Sequence, residues 1–259
     1  MSGTGLGAAE EALIAFELGR RAASTSVFAS IGAAHLSAAP SRRVAAGYRR
    51  ENRVILVDDR EAELVLLRAH ESAVLHEPTR SVPLDDVLWS SDLRESAEVG
   101  RVVAEATPAQ LLRLRLIDAA ALAGLAKAAL DMAVSYALMR EQFGRPIGSF
   151  QAIKHHCANM ALAARTAADQ VSFAGVALDD ARDDAALQIE NALFVAGTAA
   201  LDNCAKNIQI HGGIGFSDEA EPHLLLKRAH LYIAVAGGLE AALQRIGEIP
   251  SALRMGTEQ

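Results

Sequence analysis

Cysteine is scarce in this chain of 259 residues: there are two, Cys157 and Cys204. They stand 47 residues apart, with no Cys-x-x-Cys and no paired His spacing around them. That excludes a disulfide framework and makes a zinc site an unsuitable reading. Basic charge is also in short supply. The 25 Lys and Arg face 32 Asp and Glu, for a formal net charge of −7. A nucleic-acid-binding scaffold needs a net basic face to displace counterions, so none is expected. No apolar run of about 18 residues is free of charge, so nothing is expected to span a membrane. The opening MSGTGLGAAEEALIAFELGRR lacks a basic n-region and is not a secretory signal. These absences predict a reduced, soluble, cytoplasmic protein. Low-complexity tracts and internal repeats are missing too.

What the chain has in abundance is alanine. Of 53 alanines, 35 fall in residues 101–242 and only 6 in residues 41–100. Alanine is the best helix former and a poor strand residue, so the second half is predicted to be helical. Thr107-Pro108 reads as a helix N-cap followed by a proline in the first turn. From there only Gly124 interrupts the helical pattern before Phe143, which predicts a helix of about 34 residues and about 50 Å. Gly144, Pro146 and Gly148 form a turn. A second long helix is predicted over 150–180 and a third over 183–210, ended by His211-Gly212-Gly213-Ile214-Gly215. A fourth is predicted over 222–246, capped by Gly247. Short connections make these an antiparallel bundle, and their extensive apolar surfaces favour oligomer packing. Residues 41–104 read as three to five short strands, with runs at 53–57 and 62–67 and turns at 58–59 and 77–80. Two further helical patterns lie at 8–22 and 25–39. The expected fold is therefore mainly α.

Two segments carry chemistry. In Arg140-Glu141-Gln142-Phe143-Gly144-Arg145-Pro146-Ile147-Gly148-Ser149-Phe150-Gln151, one helix ends and another begins beside two arginines. Helix N-termini and guanidinium forks both suit phosphate oxygens. A surface helix hairpin with incidental charges fits the same residues. In Gln209-Ile210-His211-Gly212-Gly213-Ile214-Gly215-Phe216, the glycines let backbone approach a ligand closely, or merely cap a helix. There is no GxGxxG after a strand, so a Rossmann site is not supported. His211 alone reads as a structural histidine.

Together the two segments resemble the C-terminal domain of the acyl-CoA dehydrogenase family. That family has an R-x-x-F-G-x-x-[hydrophobic]-x-x-x-Q motif, followed about 60 residues later by Q-x-x-G-G-x-G-[aromatic]; here these are Arg140–Gln151 and Gln209–Phe216. The resemblance runs over about residues 105–245. It implies a four-helix bundle over 105–249, a shortened β domain over 41–104, a remnant of an N-terminal helical domain over 1–40, and a tail over 250–259. It also implies FAD, with Arg140, Phe143, Gln151, Gln209, Gly212 and Gly213 at the diphosphate and ADP half of the cofactor, across a subunit contact. The substrate implied is an acyl-CoA thioester.

Two features depart from the family pattern. The positions where the catalytic glutamate is expected hold Ala236 and Leu114, and no catalytic residue is assigned. Glu240 and Asp118, each four residues further on, are weak substitutes. The front of the chain is also short for a full member. Both departures imply a subunit that completes the FAD site of a longer catalytic partner, as in heteromeric dehydrogenases of steroid breakdown. The alternative is a helical scaffold without cofactor or activity.

Overall fold

A computed structural model describes residues 5–37, 42–84 and 92–249. The predicted 250–259 tail and the last residues of the predicted 25–39 helix lie outside them. Two short helices open the chain, α1 (Ala8–Arg20) and α2 (Thr25–Leu36). Seven strands follow among the described residues: β1 (Val44–Arg50), β2 (Arg53–Val57), β3 (Leu64–Ala69), β4 (Ser72–His76), β5 (Val82–Pro83), β6 (Leu93–Ser96) and β7 (Val102–Glu105). They form one sheet in the order β5-β6-β2-β1-β3-β4-β7, antiparallel except for the β1–β3 pair. The prediction of three to five strands was too low. The extra ones are two to four residues long, and β6 carries Arg94 and Glu95, so no apolar run announces them. They exist because a neighbouring strand offers a ladder.

The bundle begins with α3 (Pro108–Met139). Its start is a capping box: Thr107 Oγ1 accepts from the Gln110 N–H, while Gln110 Oε1 accepts from the Thr107 N–H at 2.8 Å. The helix ends four residues before the predicted Phe143. The chain turns there into a β-hairpin, β8 (Glu141–Gln142) paired with β9 (Arg145–Pro146). Its two-residue loop has φ of +53° at Phe143 and +76° at Gly144. A hairpin twist needs positive φ at both loop positions, which a right-handed helix cannot supply. The helices α4 (Gln151–Asp179) and α5 (Ala185–His211) match the sequence expectation closely. A 3-10 turn over Gly212–Phe216 follows α5.

The predicted fourth helix is two, α6 (Pro222–Val235) and α7 (Leu239–Glu248). Gly237 and Gly238 break it, with φ of +96° and +90°. Gly247 lies inside α7 and is not its cap; Ile249 is extended, as the residue before a proline is biased to be.

Helices α3, α4, α5 and α6 form the bundle, and α1 packs on α3 and α4. Asn203 ties three helices together, its Nδ2 donating at 3.0 Å to the carbonyls of Ala126 and Met160. A second apolar cluster joins sheet to bundle. In it Leu111, Leu114, Leu231 and Val235 bury against Val44, Leu64, Leu66 and Leu75. None of the described helices is long and apolar enough to cross a membrane.

Candidate functional site

The end of α3 and the end of α5 meet at one cleft of about 360 Å³. Tyr136 and Arg140 line it from α3, Gln142 and Ile147 from the hairpin and the turn behind it. Ile210 and His211 come from α5, Gly213 and Ile214 from the 3-10 turn. Local rules build this arrangement. Because α3 stops at Met139, Arg140 leaves the helix and projects into solvent. The Ile147 N–H donates to the Arg140 carbonyl at 2.8 Å and closes the hairpin under it. Gly212, with φ of +66°, swings the chain out of α5 and back across the cleft.

Electrostatically the cleft is one-sided. No Asp or Glu is among its lining residues, although the chain is acidic overall. The Arg140 guanidinium has no hydrogen-bond or ion-pair partner among the described residues. A Cβ on Gly213 would meet nothing within 4 Å, and the φ there is not in the left-handed region. Packing therefore does not demand a glycine at 213; the position keeps open space in the cleft. A free guanidinium, bare backbone and no carboxylate make a donor set that fits a diphosphate.

The other motif residues stand apart from this cleft. Gln209 faces the neighbouring groove between α4 and α5, of about 560 Å³, with His156, Asn159, Asp202 and Lys206. Its Oε1 accepts from Lys206 Nζ at 2.7 Å. Gln151 is exposed in the first turn of α4. Phe143 sits at the hairpin tip, 92% exposed, with its ring edge-on to Phe150 at 6.1 Å. Arg145, the second arginine of the segment, stacks over the Phe150 ring at 4.2 Å. Gly212 neighbours the cleft but is not among its lining residues. One lining residue outside both motifs escaped sequence reasoning. Tyr136 is one helical turn before Arg140 on the same face, a spacing that was available as a signal. Its ring stacks on His211 at 4.0 Å and 23°.

The two positions at which the resemblance leads one to expect a glutamate are closed as well as apolar: Leu114 is 2% exposed and Ala236 5%. Asp118 lies buried against Arg68, whose Nη2 donates to its Oδ2 at 2.7 Å. Burial pushes the Asp118 pKa up while Arg68 opposes the shift. Glu240 is exposed at the start of α7. Burial pushes the Cys204 thiol up to about 12, which leaves it unreactive at neutral pH.

The chain is thus a helical bundle joined to a small sheet, with a cleft free of acidic lining residues where two long helices end. By sequence comparison, residues 104–249 match the acyl-CoA dehydrogenase C-terminal domain, and the chain belongs to that family. The family is FAD-dependent. FadE34 of Mycobacterium tuberculosis, an acyl-CoA dehydrogenase, is 38% identical over 170 residues, which is 61% of this chain and 24% of that protein. The chain thus spans about a quarter of that relative's length. Among solved structures, the Tcur3481-Tcur3483 steroid ACAD superposes with a TM-score of 0.75 at 21% identity, covering 95% of this chain and 81% of that one. The ChsE4-ChsE5 complex from Mycobacterium tuberculosis gives 0.71 at 19% identity, covering 96% and 83%. Those two likenesses establish the fold.

Proposed function

We propose that this chain is one subunit of a heteromeric, FAD-dependent acyl-CoA dehydrogenase, and that it supplies the diphosphate-binding edge of a flavin site shared with a longer partner. The observation that carries this reading is the convergence of Arg140 and Gly213 on one cleft without a carboxylate. Arg140 holds the diphosphate with charge-assisted hydrogen bonds, and Gly213 lets backbone come close to it. Phe143 and Gln151, both exposed, contact the same nucleotide half, and Gly212 orients the turn. Gln209 meets the ADP portion from the adjoining groove. FAD held by these residues would supply the hydride acceptor for α,β-dehydrogenation of the thioester. The base for the α-proton comes from the partner, because Leu114 and Ala236 offer no carboxylate.

Relatives described as a steroid ACAD and as a two-chain complex support a bulky, steroid-derived acyl-CoA and a hetero-oligomer. The two free cysteines suit a cytoplasmic setting.

The test is co-expression with a longer acyl-CoA dehydrogenase chain and an absorption spectrum of the purified complex. A yellow complex that oxidises an acyl-CoA is expected. Arg140→Ala lowers flavin affinity by about 1.5–3 kcal/mol with the helical spectrum intact, because one charge-assisted contact is lost. Unchanged flavin occupancy in that variant removes the assignment. A colourless wild-type complex favours the cofactor-free scaffold.

A further inference from the structure

His211 ends α5 with its two ring nitrogens in different surroundings. Nδ1 lies 2.9 Å from the Asn207 carbonyl oxygen. A carbonyl only accepts, so Nδ1 carries the proton of the neutral ring and Nε2 is its acceptor. Nε2 has no partner among the described residues. The flat face of the ring rests on Tyr136, which fixes its tilt, and the residue lines the cleft beside Arg140.

Arg140 brings the one formal charge among the residues that line the cleft with His211; Glu141 of the hairpin and Asp218, Glu219 and Glu221 after the 3-10 turn are not among them. From α3 the cleft takes Tyr136 and Arg140; the hairpin gives the neutral Gln142, and the 3-10 turn gives Gly213 and Ile214. His223, Lys227, Arg228 and His230 of α6, which packs on that turn, do not line the cleft, nor do Lys154, His155 and His156 of α4. Asp202 and Lys206 of α5 belong to the neighbouring region of that helix; both line the other groove. A doubly charged diphosphate beside the ring favours its protonated form.

We propose that His211 takes up a proton when a diphosphate diester enters the cleft, and that Nε2–H then donates to its oxygens as a second cationic contact beside Arg140. This deepens the shared-flavin reading and rests on it: the site binds its nucleotide more tightly as pH falls. The proton comes from solvent and no covalent bond changes.

The experiment titrates ADP-ribose into the full chain by calorimetry, at about pH 6 and about pH 8, in buffers of different ionisation enthalpy. ADP-ribose carries the same doubly esterified diphosphate and no flavin ring. Tighter binding at the lower pH, by about tenfold, is expected, with proton uptake near neutrality. His211→Gln abolishes both the pH dependence and the uptake, whereas Arg140→Ala weakens binding at both pH values. The ring-nitrogen resonances of His211 in the wild-type chain give a second readout: ADP-ribose moves them from the Nδ1–H tautomer to the imidazolium. Binding that is independent of pH, or a pH dependence kept in His211→Gln, overturns the inference while Arg140-dependent binding leaves the shared site standing. Absence of binding at both pH values also overturns it. Flavin retention in the co-expressed Arg140→Ala complex then decides the shared-site reading separately.

Discussion

Phe143 is a large apolar side chain almost wholly in water, on a backbone that disfavours it. Its φ of +53° places a residue with a Cβ in the left-handed region, at a cost of about 1–2 kcal/mol. Asparagine tolerates that conformation better, so packing within the chain does not explain the phenylalanine. Phe143→Asn is expected to stabilise the free chain by about 1 kcal/mol in urea unfolding, while weakening flavin retention in the complex. A loss of stability would point instead to the Phe150 contact as its reason for being there. Glu190 poses the opposite case. It is 1% exposed between Arg115 Nη1 at 2.7 Å and Arg245 Nη2 at 2.8 Å. Burial pulls the Arg115 pKa down, and Glu190 opposes it. Glu190→Gln leaves two buried guanidinium groups facing each other and is predicted to destabilise by about 3–5 kcal/mol, measured by the same unfolding titration.

At the scale of elements, α1 crosses α3 with backbone against backbone. A Cβ on Gly124 would fall under 3.0 Å from the Phe16 carbonyl, and one on Gly19 under 3.0 Å from the Ala121 carbonyl. Backbone meets backbone there, so neither neighbour can yield. Gly124→Ala should destabilise by about 1–3 kcal/mol, although alanine is the better helix former, and thermal unfolding will give the sign. A carboxylate also docks α1. Glu11 accepts from His35 Nε2 at 2.9 Å and from Arg113 Nε at 2.6 Å. Burial pushes its pKa up, but these two partners outweigh burial and hold it below the ordinary 4.5. A depressed carboxyl pKa contributes stability above its unfolded value and loses it as pH falls through the folded one. Acid unfolding should therefore steepen below about pH 4.5, and Glu11→Gln should flatten that limb.

For the molecule as a whole, the sheet and the bundle share buried side chains, so the N-terminal third is tied to the helices that form the cleft. Leu66 touches the region of Gly32, and Leu114 lies beside it, so α2, β3 and α3 meet in one place. The cleft itself needs none of this packing to be filled. Gly213→Val is predicted to leave the unfolding midpoint unchanged, since its Cβ enters open space. It should nevertheless lower flavin occupancy of the co-expressed complex, read from the absorption spectrum. An unaltered spectrum would mean that the turn is only a helix terminus.

Much of the bundle was legible from short-range rules. The start of α3 follows from Thr107, Pro108 and Gln110, because a capping box and a first-turn proline act within four residues. The end of α5 follows from Gly212, and the two motifs that flank the cleft can be read as strings. Three things depended on the folded chain. The short strands β5 and β6 hold together only through pairing partners distant in sequence. The break at Gly237-Gly238 falls on a pair that marks a turn in sequence, but that both residues take left-handed φ and divide the helix was settled by the fold. The stack of Tyr136 on His211 joins residues 75 positions apart, and only the antiparallel return of α5 along α3 brings them together. Local sequence thus determined where most helices begin and end, while tertiary packing decided which side chains share a cleft, because that choice depends on contacts no short window contains.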